Sequence, residues 1–133
     1  MVWYLDKSAF LKLVVAEPES LAVRDWLNEN GPVWSSQLLR TEALRAANRL
    51  GLDRELVDDA LETVSLILPA VSTFLIAGAL EPFNLRSLDA LHLATALELG
   101  GDLDGVVTYD ARMASAATAA SVAIAAPSGA QPG

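Results

Sequence analysis

Four apolar or aromatic residues, Val2–Leu5, open the chain and stop at Asp6, the pattern of a short buried β-strand. Ser8 then stands where it can cap a helix running through Phe10, Leu11 and Val14. Pro18, in Glu17-Pro18-Glu19-Ser20, sets Glu17 as the end of that helix. A second helix is expected over residues 20–30, with Val23, Trp26 and Leu27 at helical spacing and Asn30-Gly31-Pro32 as its stop. Val33, Trp34 and Ser35 read as a second strand. The next helix covers residues 37–50, with Leu39, Ala43, Ala46 and Leu50 on its apolar face and Gly51 beyond it. Glu42 falls at the edge of that face, as a rim charge or as an acid pointed into a cleft.

Asp53 has the position of an N-cap for a fourth helix, whose Leu56, Val57, Ala60, Leu61 and Val64 face inward while Asp58, Asp59 and Glu62 face water. Residues 67–71 suit a short strand, Ser72 the start of a helix reaching about residue 80, and residues 81–84 a loop. The plainest helix signal is SLDALHLATALEL at residues 87–99, followed by Gly100-Gly101. There Asp89, His92, Leu93 and Ala96 share one face. A second clear buried strand, GVVTY at residues 105–109, is followed by Asp110 as the first is followed by Asp6. A short helix over 111–118 and a last strand over 122–125 complete the pattern. Helices alternating with short apolar strands imply an α/β fold on a parallel sheet.

Length and composition narrow the class. The chain has 133 residues, 53% of them hydrophobic, and no cysteine. That is one domain with a sizeable core, here residues 1–126, and residues 127–133 (PSGAQPG) read as a flexible C-terminal tail. Disulfide frameworks and thiolate metal sites are excluded. The start, MVWYLDK, lacks the basic region of a secretory signal, which predicts a cytoplasmic protein. Residues 63–80 carry no charge and approach the ~18 residues of a membrane span. Pro69 near the middle, with Ser65, Ser72 and Thr73, favours a core strand followed by a helix capped at Ser72. Residues 113–133 are also uncharged but too weakly apolar to span. A net charge of −8 argues against a simple basic nucleic-acid binder, though not against a nuclease whose carboxylates gather a cation.

Four acids carry the candidate chemistry. Asp6 and Asp110 each follow a buried strand, at the edge where open parallel sheets hold their ligands; Glu42 and Asp89 lie on inward or edge positions of helices. Buried carboxylates are costly unless paired or metal-bound, and a shared hard cation such as Mg²⁺ or Mn²⁺ would satisfy them together. Spacing alone leaves a blander alternative open, in which Asp6 and Asp110 are helix caps and Glu42 and Asp89 are rim charges. Ser8 and Thr108 flank the acids and can hydrogen-bond a ligand or simply hold the backbone. His92 reads as a packed structural histidine, and Lys12 as a surface lysine whose stem covers apolar area. Arg112, with Arg40, Arg45 and Arg86, is a candidate for backbone phosphates. Trp3, Trp26 and Trp34 read as core or interface.

Taken in order, LDKSAFLKL at residues 5–13, RTEALRA at 40–46, RSLDALHLATAL at 86–97 and VTYDARM at 107–113 resemble the PIN-domain ribonuclease family. The likeness is specifically to the VapC-type toxins of bacterial toxin–antitoxin pairs and extends from Tyr4 to about Ala125. It implies a three-layer α/β/α domain with a short central parallel sheet. Asp6, Glu42, Asp89 and Asp110 would surround one or two Mg²⁺ or Mn²⁺ ions, with Asp6 and Asp89 as main ligands. It further implies metal-assisted hydrolysis of RNA phosphodiester bonds, a cognate antitoxin protein as inhibitor, and a homodimer. Two other expectations compete with it: a catalytically silent PIN-fold binding module, and a metal-dependent phosphodiesterase acting on DNA or a small molecule.

Overall fold

The computed structural model describes residues 2–129 of the chain. Five strands form one sheet: β1 (Val2–Leu5), β2 (Val33–Ser36), β3 (Val64–Ile67), β4 (Leu103–Val107) and β5 (Ile124–Ala125). Every pairing is parallel, in the order β3-β2-β1-β4-β5. The helices between them are α1 (Lys7–Leu11), α2 (Ser20–Asn30), α3 (Leu38–Leu50), α4 (Arg54–Glu62), α5 (Val71–Ala79), α6 (Ser87–Leu97) and α7 (Ala111–Ala119), with a 3₁₀ turn at Gly100–Asp102.

Neighbouring strand residues separate into two cores, as the two-residue pleat requires. Leu5 and Val107 pack with Phe10, Val23, Leu39, Val57 and Leu61 from α1 to α4. Tyr4 and Val106, one position earlier, pack with Leu93, Ala96, Met113 and Ala117 from α6 and α7. Helices therefore cover both faces, and the domain is a three-layer α/β/α sandwich. β1 lies at the centre. From it the chain builds outward through β2 and β3 on one side, then returns to build β4 and β5 on the other. The order reverses between β1 and β4, and a crevice opens at the carboxyl ends of strands at such a switch point. Asp6 is the first residue past β1, and Thr108, Tyr109 and Asp110 follow β4.

Most expected elements appear, and the departures have local causes. Helix α1 ends at Leu11, short of Val14, because residues 12–15 close in tight turns instead. Val64 belongs to β3 and not to the preceding helix; the strand expected at 67–71 runs over Val64–Ile67. Thr63 ends α4 by donating its hydroxyl to the Ala60 carbonyl (2.7 Å), and Val64 pairs with Val33. Helix α5 starts at Val71 and not at Ser72, and Thr73 Oγ1 accepts from the Ala70 N–H (3.1 Å). Asp53 does cap α4, accepting from the Glu55 N–H at 3.0 Å. Leu50 and Leu56, read as core, are exposed at 52% and 46%. Strand β4 ends at Val107, before Tyr109. Gly105 is required where it is: a Cβ there would lie 2.5 Å from both the Ala123 carbonyl and the Trp3 ring. Trp3 meets Trp26 edge-on at 4.9 Å between centroids. Of the expected tail, Pro127 is held, its carbonyl accepting from the Tyr109 hydroxyl (2.5 Å); residues 130–133 lie outside the described residues.

No described helix is long and apolar enough to cross a membrane. The charge-free run 63–80 forms edge strand β3 and helix α5, which lies largely on the surface. Leu68, Val71, Phe74 and Leu75 are exposed, as are Phe83 and Leu88 beside them. Phe74 and Phe83 line one shallow groove together.

Candidate active site

Asp6 is 4% exposed. Its backbone leaves β1 still bonded to β4, N–H to the Val107 carbonyl (3.0 Å), and its own carbonyl accepts from Ala9 and Phe10 as α1 begins. It occupies the N-cap position of α1, yet its side chain caps nothing. Both hydroxyls beside it donate to a single oxygen, Oδ2: Ser8 Oγ at 2.9 Å and Thr108 Oγ1 at 2.8 Å. Each hydroxyl is then an acceptor in turn, Ser8 from the Tyr109 N–H (2.9 Å) and Thr108 from the Asp110 N–H (3.1 Å). Ser8 therefore does not cap a helix. It ties the turn after β4 to the carboxylate after β1, and Asp6 Oδ1 takes no part in these bonds.

Asp110 does cap. Oδ1 accepts from the N–H groups of Arg112 (2.8 Å) and Met113 (3.4 Å) at the start of α7. Oδ2 stays clear of the cap and lies 3.9 Å from Arg86 Nη2. Asp89, in the first turn of α6, places Oδ2 3.5 Å from Arg86 Nε. That oxygen is buried and has no hydrogen-bond partner, a costly state for a charged group. Burial pushes the Asp89 carboxyl above the usual carboxylate range; the charge of Asp6 adds to this, Arg86 opposes it, and Asp110 adds again. Asp6 and Asp110 thus act on Asp89 as like charges.

Glu42 arrives from α3, and its Oε1 lies 2.5 Å from His92 Nε2. His92 Nδ1 is in turn 2.7 Å from the Tyr4 hydroxyl. The expectation of a packed histidine describes the burial of His92 and misses both bonds. The place of Arg86 beside Asp89 and Asp110 depends on how α6 docks, which local pattern does not encode. Arg112 contributes its backbone N–H to the Asp110 cap, and the residue is exposed. Lys12 is not a surface lysine: it is 8% exposed. Its ammonium pairs with Glu17 (3.2 Å) and Glu19 (3.0 Å) and lies over the Tyr109 ring, 4.7 Å from the centroid. Pairing is what makes that burial tolerable.

The donor set is hard oxygen throughout, the type suited to Mg²⁺ or Mn²⁺. In three of the acids one oxygen is committed to the fold and the other is not: Asp6 Oδ1, Asp110 Oδ2 and Glu42 Oε2 are spared, while Asp89 Oδ2 has no hydrogen bond and only the ion pair to Arg86. That chemistry fits a divalent cation. As the side chains stand, no group of three or more His, Cys, Asp or Glu among the described residues could hold a metal ion together.

Comparison with known proteins agrees with this architecture. Residues 3–119 match the PIN domain family model. The chain is 46% identical over 126 residues to Ribonuclease VapC46 of Mycobacterium tuberculosis (strain ATCC 25618 / H37Rv), covering 94% of this chain and 97% of that protein. It is 38% identical over 135 residues to Ribonuclease VapC35 of the same strain, at 93% and 96% coverage. Ribonuclease VapC47 of M. tuberculosis (strain CDC 1551 / Oshkosh) is 35% identical over 121 residues, at 84% and 87% coverage. A parallel three-layer domain with acids at its switch point, matched nearly end to end by VapC ribonucleases, belongs to the PIN-domain family and to its VapC-type branch.

Proposed function

We propose that the chain is the toxin of a toxin–antitoxin pair, a Mg²⁺- or Mn²⁺-dependent endoribonuclease of the cytoplasm whose site is formed by Asp6, Glu42, Asp89 and Asp110. The observation that carries this is Asp89: a buried carboxylate oxygen with no hydrogen bond and only a long ion pair to Arg86, under the charge of two other acids at the switch point of a parallel sheet. A fold does not keep such an oxygen for stability. When bound, the cation supplies Lewis acidity toward water and phosphate. The chain's own residues do the placing. Ser8 and Thr108 fix Asp6 so that Oδ1 is available, the α7 cap does the same for Asp110 Oδ2, and α6 delivers Asp89. Arg86 offsets the mutual repulsion of Asp89 and Asp110. One spared oxygen can serve as base toward the attacking water.

The test is cleavage of a mixed total-RNA substrate by the purified chain freed of its antitoxin, in Mg²⁺, Mn²⁺ or EDTA. Discrete fragments in either metal, absent in EDTA, are expected. A folded, metal-binding chain that gives none would favour the binding module, and turnover of DNA or phosphomonoesters instead of RNA would favour the broader phosphodiesterase.

The antitoxin is proposed from the relatives, and the homodimer from the apolar face on α5. A second copy is the occupant that a charge-free patch suits, since it meets itself without unpaired charge. Leu75→Glu, at a residue 72% exposed, is expected to leave the fold intact and shift the chain from dimer to monomer in size-exclusion chromatography with light scattering. An unchanged dimer would place the interface elsewhere.

A further inference from the structure

Glu42 differs from the other three acids in how it reaches the site. Asp6, Asp89 and Asp110 are short side chains rooted where a strand ends or a helix begins. Glu42 sits inside α3 on a longer chain with more torsional freedom, which is costly to freeze. A group in that position needs a prop if its free oxygen is to stay in one place.

The structure supplies one. His92 is 1% exposed and lies one helical turn after Asp89 on α6. Tyr4, also 1% exposed, lies two residues before Asp6 on β1. The two rings meet edge-on, 5.9 Å between centroids, and the imidazole stands between the Tyr4 hydroxyl and Glu42 Oε1. A phenol keeps its proton at neutral pH, so the Tyr4 hydroxyl can donate to Nδ1. Nε2 then carries the other hydrogen and donates to the carboxylate. The same two elements thus form two tiers: Asp6 and Asp89 above, Tyr4 and His92 beneath. Glu42 is bonded to the lower tier by one oxygen. Its bond also joins α3 to α6, whose buried residues otherwise belong to different cores.

From this geometry we infer that His92, backed by Tyr4, is a positioning residue that holds Glu42 by Oε1 and so aims Oε2 at the cation site; the inference rests on the metal-dependent reading above. Its role is analogous to the outer-shell partners that orient metal ligands, whose loss weakens binding about 10–100-fold.

Two amides of similar size separate the halves of this arrangement. His92→Gln can place a donor near the Nε2 position and reach Glu42; His92→Asn can reach only toward Tyr4. Both put a neutral amide into the same buried space, so their packing costs are comparable. The measurement is Mn²⁺ and Mg²⁺ affinity of the full chain by titration calorimetry without RNA, with thermal melting to verify folding. His92→Gln is expected to stay within a few-fold of the unmutated chain, and His92→Asn to fall about 10–100-fold. Adding Glu42→Gln to His92→Asn should cost little more than Glu42→Gln alone, because both remove one oriented oxygen. If either amide variant does not fold, Tyr4→Phe carries the test: it keeps the ring, deprives Nδ1 of its partner, and is expected to lower affinity several-fold. Equal affinities for all folded variants overturn the inference. An unmutated chain that binds neither metal overturns the metal reading itself, a different outcome.

Discussion

Asp6→Asn is expected to abolish metal-dependent RNA cleavage while leaving the fold almost unchanged. The isosteric amide can present its carbonyl to Ser8 and Thr108, replacing the two bonds now made to Oδ2. That orientation is favoured, because each hydroxyl already accepts a backbone N–H and keeps its one hydrogen pointed at an acceptor only this way round. The amide nitrogen then takes the place of Oδ1, setting a donor where the proposed cation would need a ligand. Loss of an outer-shell partner at a metal site costs about 10–100-fold, so loss of a direct ligand should cost at least about 100-fold. Stability should move by less than about 1 kcal/mol in urea unfolding. Asp6→Ala provides the contrast. It takes the Oδ2 acceptor from both hydroxyls, leaving them only each other at 3.1 Å, and should cost roughly 1–3 kcal/mol in addition to activity. Cleavage that survives in Asp6→Asn would remove Asp6 from the site; equal destabilisation by Asn and Ala would mean that its charge serves the fold.

The sequence made the sheet and two of its acids easy to read, because a buried parallel strand is a short apolar run whose end is marked by the first polar residue. Val2–Leu5 followed by Asp6 is such a run, and helix α2 has both its boundaries announced, by Ser20 and by Asn30-Gly31. The limit of α4 was not announced. Val64 continues the helical spacing of Val57 and Leu61, and only its pairing with Val33, far away in the chain, assigns it to a strand. Leu50 and Leu56 show the converse error, apolar residues at core spacing that the tertiary packing leaves outside.

The candidate site divides in the same way. The acids could be found individually, since a carboxylate at a strand end or on an apolar helix face violates the local pattern. Their supports could not. Arg86 lies beside Asp110 only because α6 docks next to the start of α7, and the Tyr4–His92–Glu42 chain joins residues 88 and 50 positions apart. The cap and ligand readings of Asp110 also looked like alternatives in the sequence. A carboxylate has two oxygens, and in Asp110 one caps α7 while the other remains clear of the cap.

Asp89→Asn should separate function from stability in the opposite sense: the metal-free variant is expected to be more stable than the unmutated chain, and inactive. Burial first, and then the charge of Asp6, hold the Asp89 carboxyl above the usual range, with Arg86 only partly compensating. Between the unfolded and folded values the folded chain binds more protons than the unfolded one, so stability falls as pH rises through that window. At neutral pH the ionised Asp89 is therefore a net cost. Its side chain is partly exposed, at 17%, and solvent screening limits the relief to about 1 kcal/mol or less, or a melting temperature higher by roughly 2–5 °C. The gain should shrink as the pH is lowered through the window, where the unmutated chain becomes neutral at this position too. Added Mg²⁺ should reverse the ranking, because ligand binding stabilises only the form that can bind it. Melting curves with and without Mg²⁺ across pH, beside RNA cleavage reduced at least about 100-fold, test both halves. A variant less stable than the unmutated chain without metal would mean that Asp89 is held by the fold and not by what the fold is built to bind.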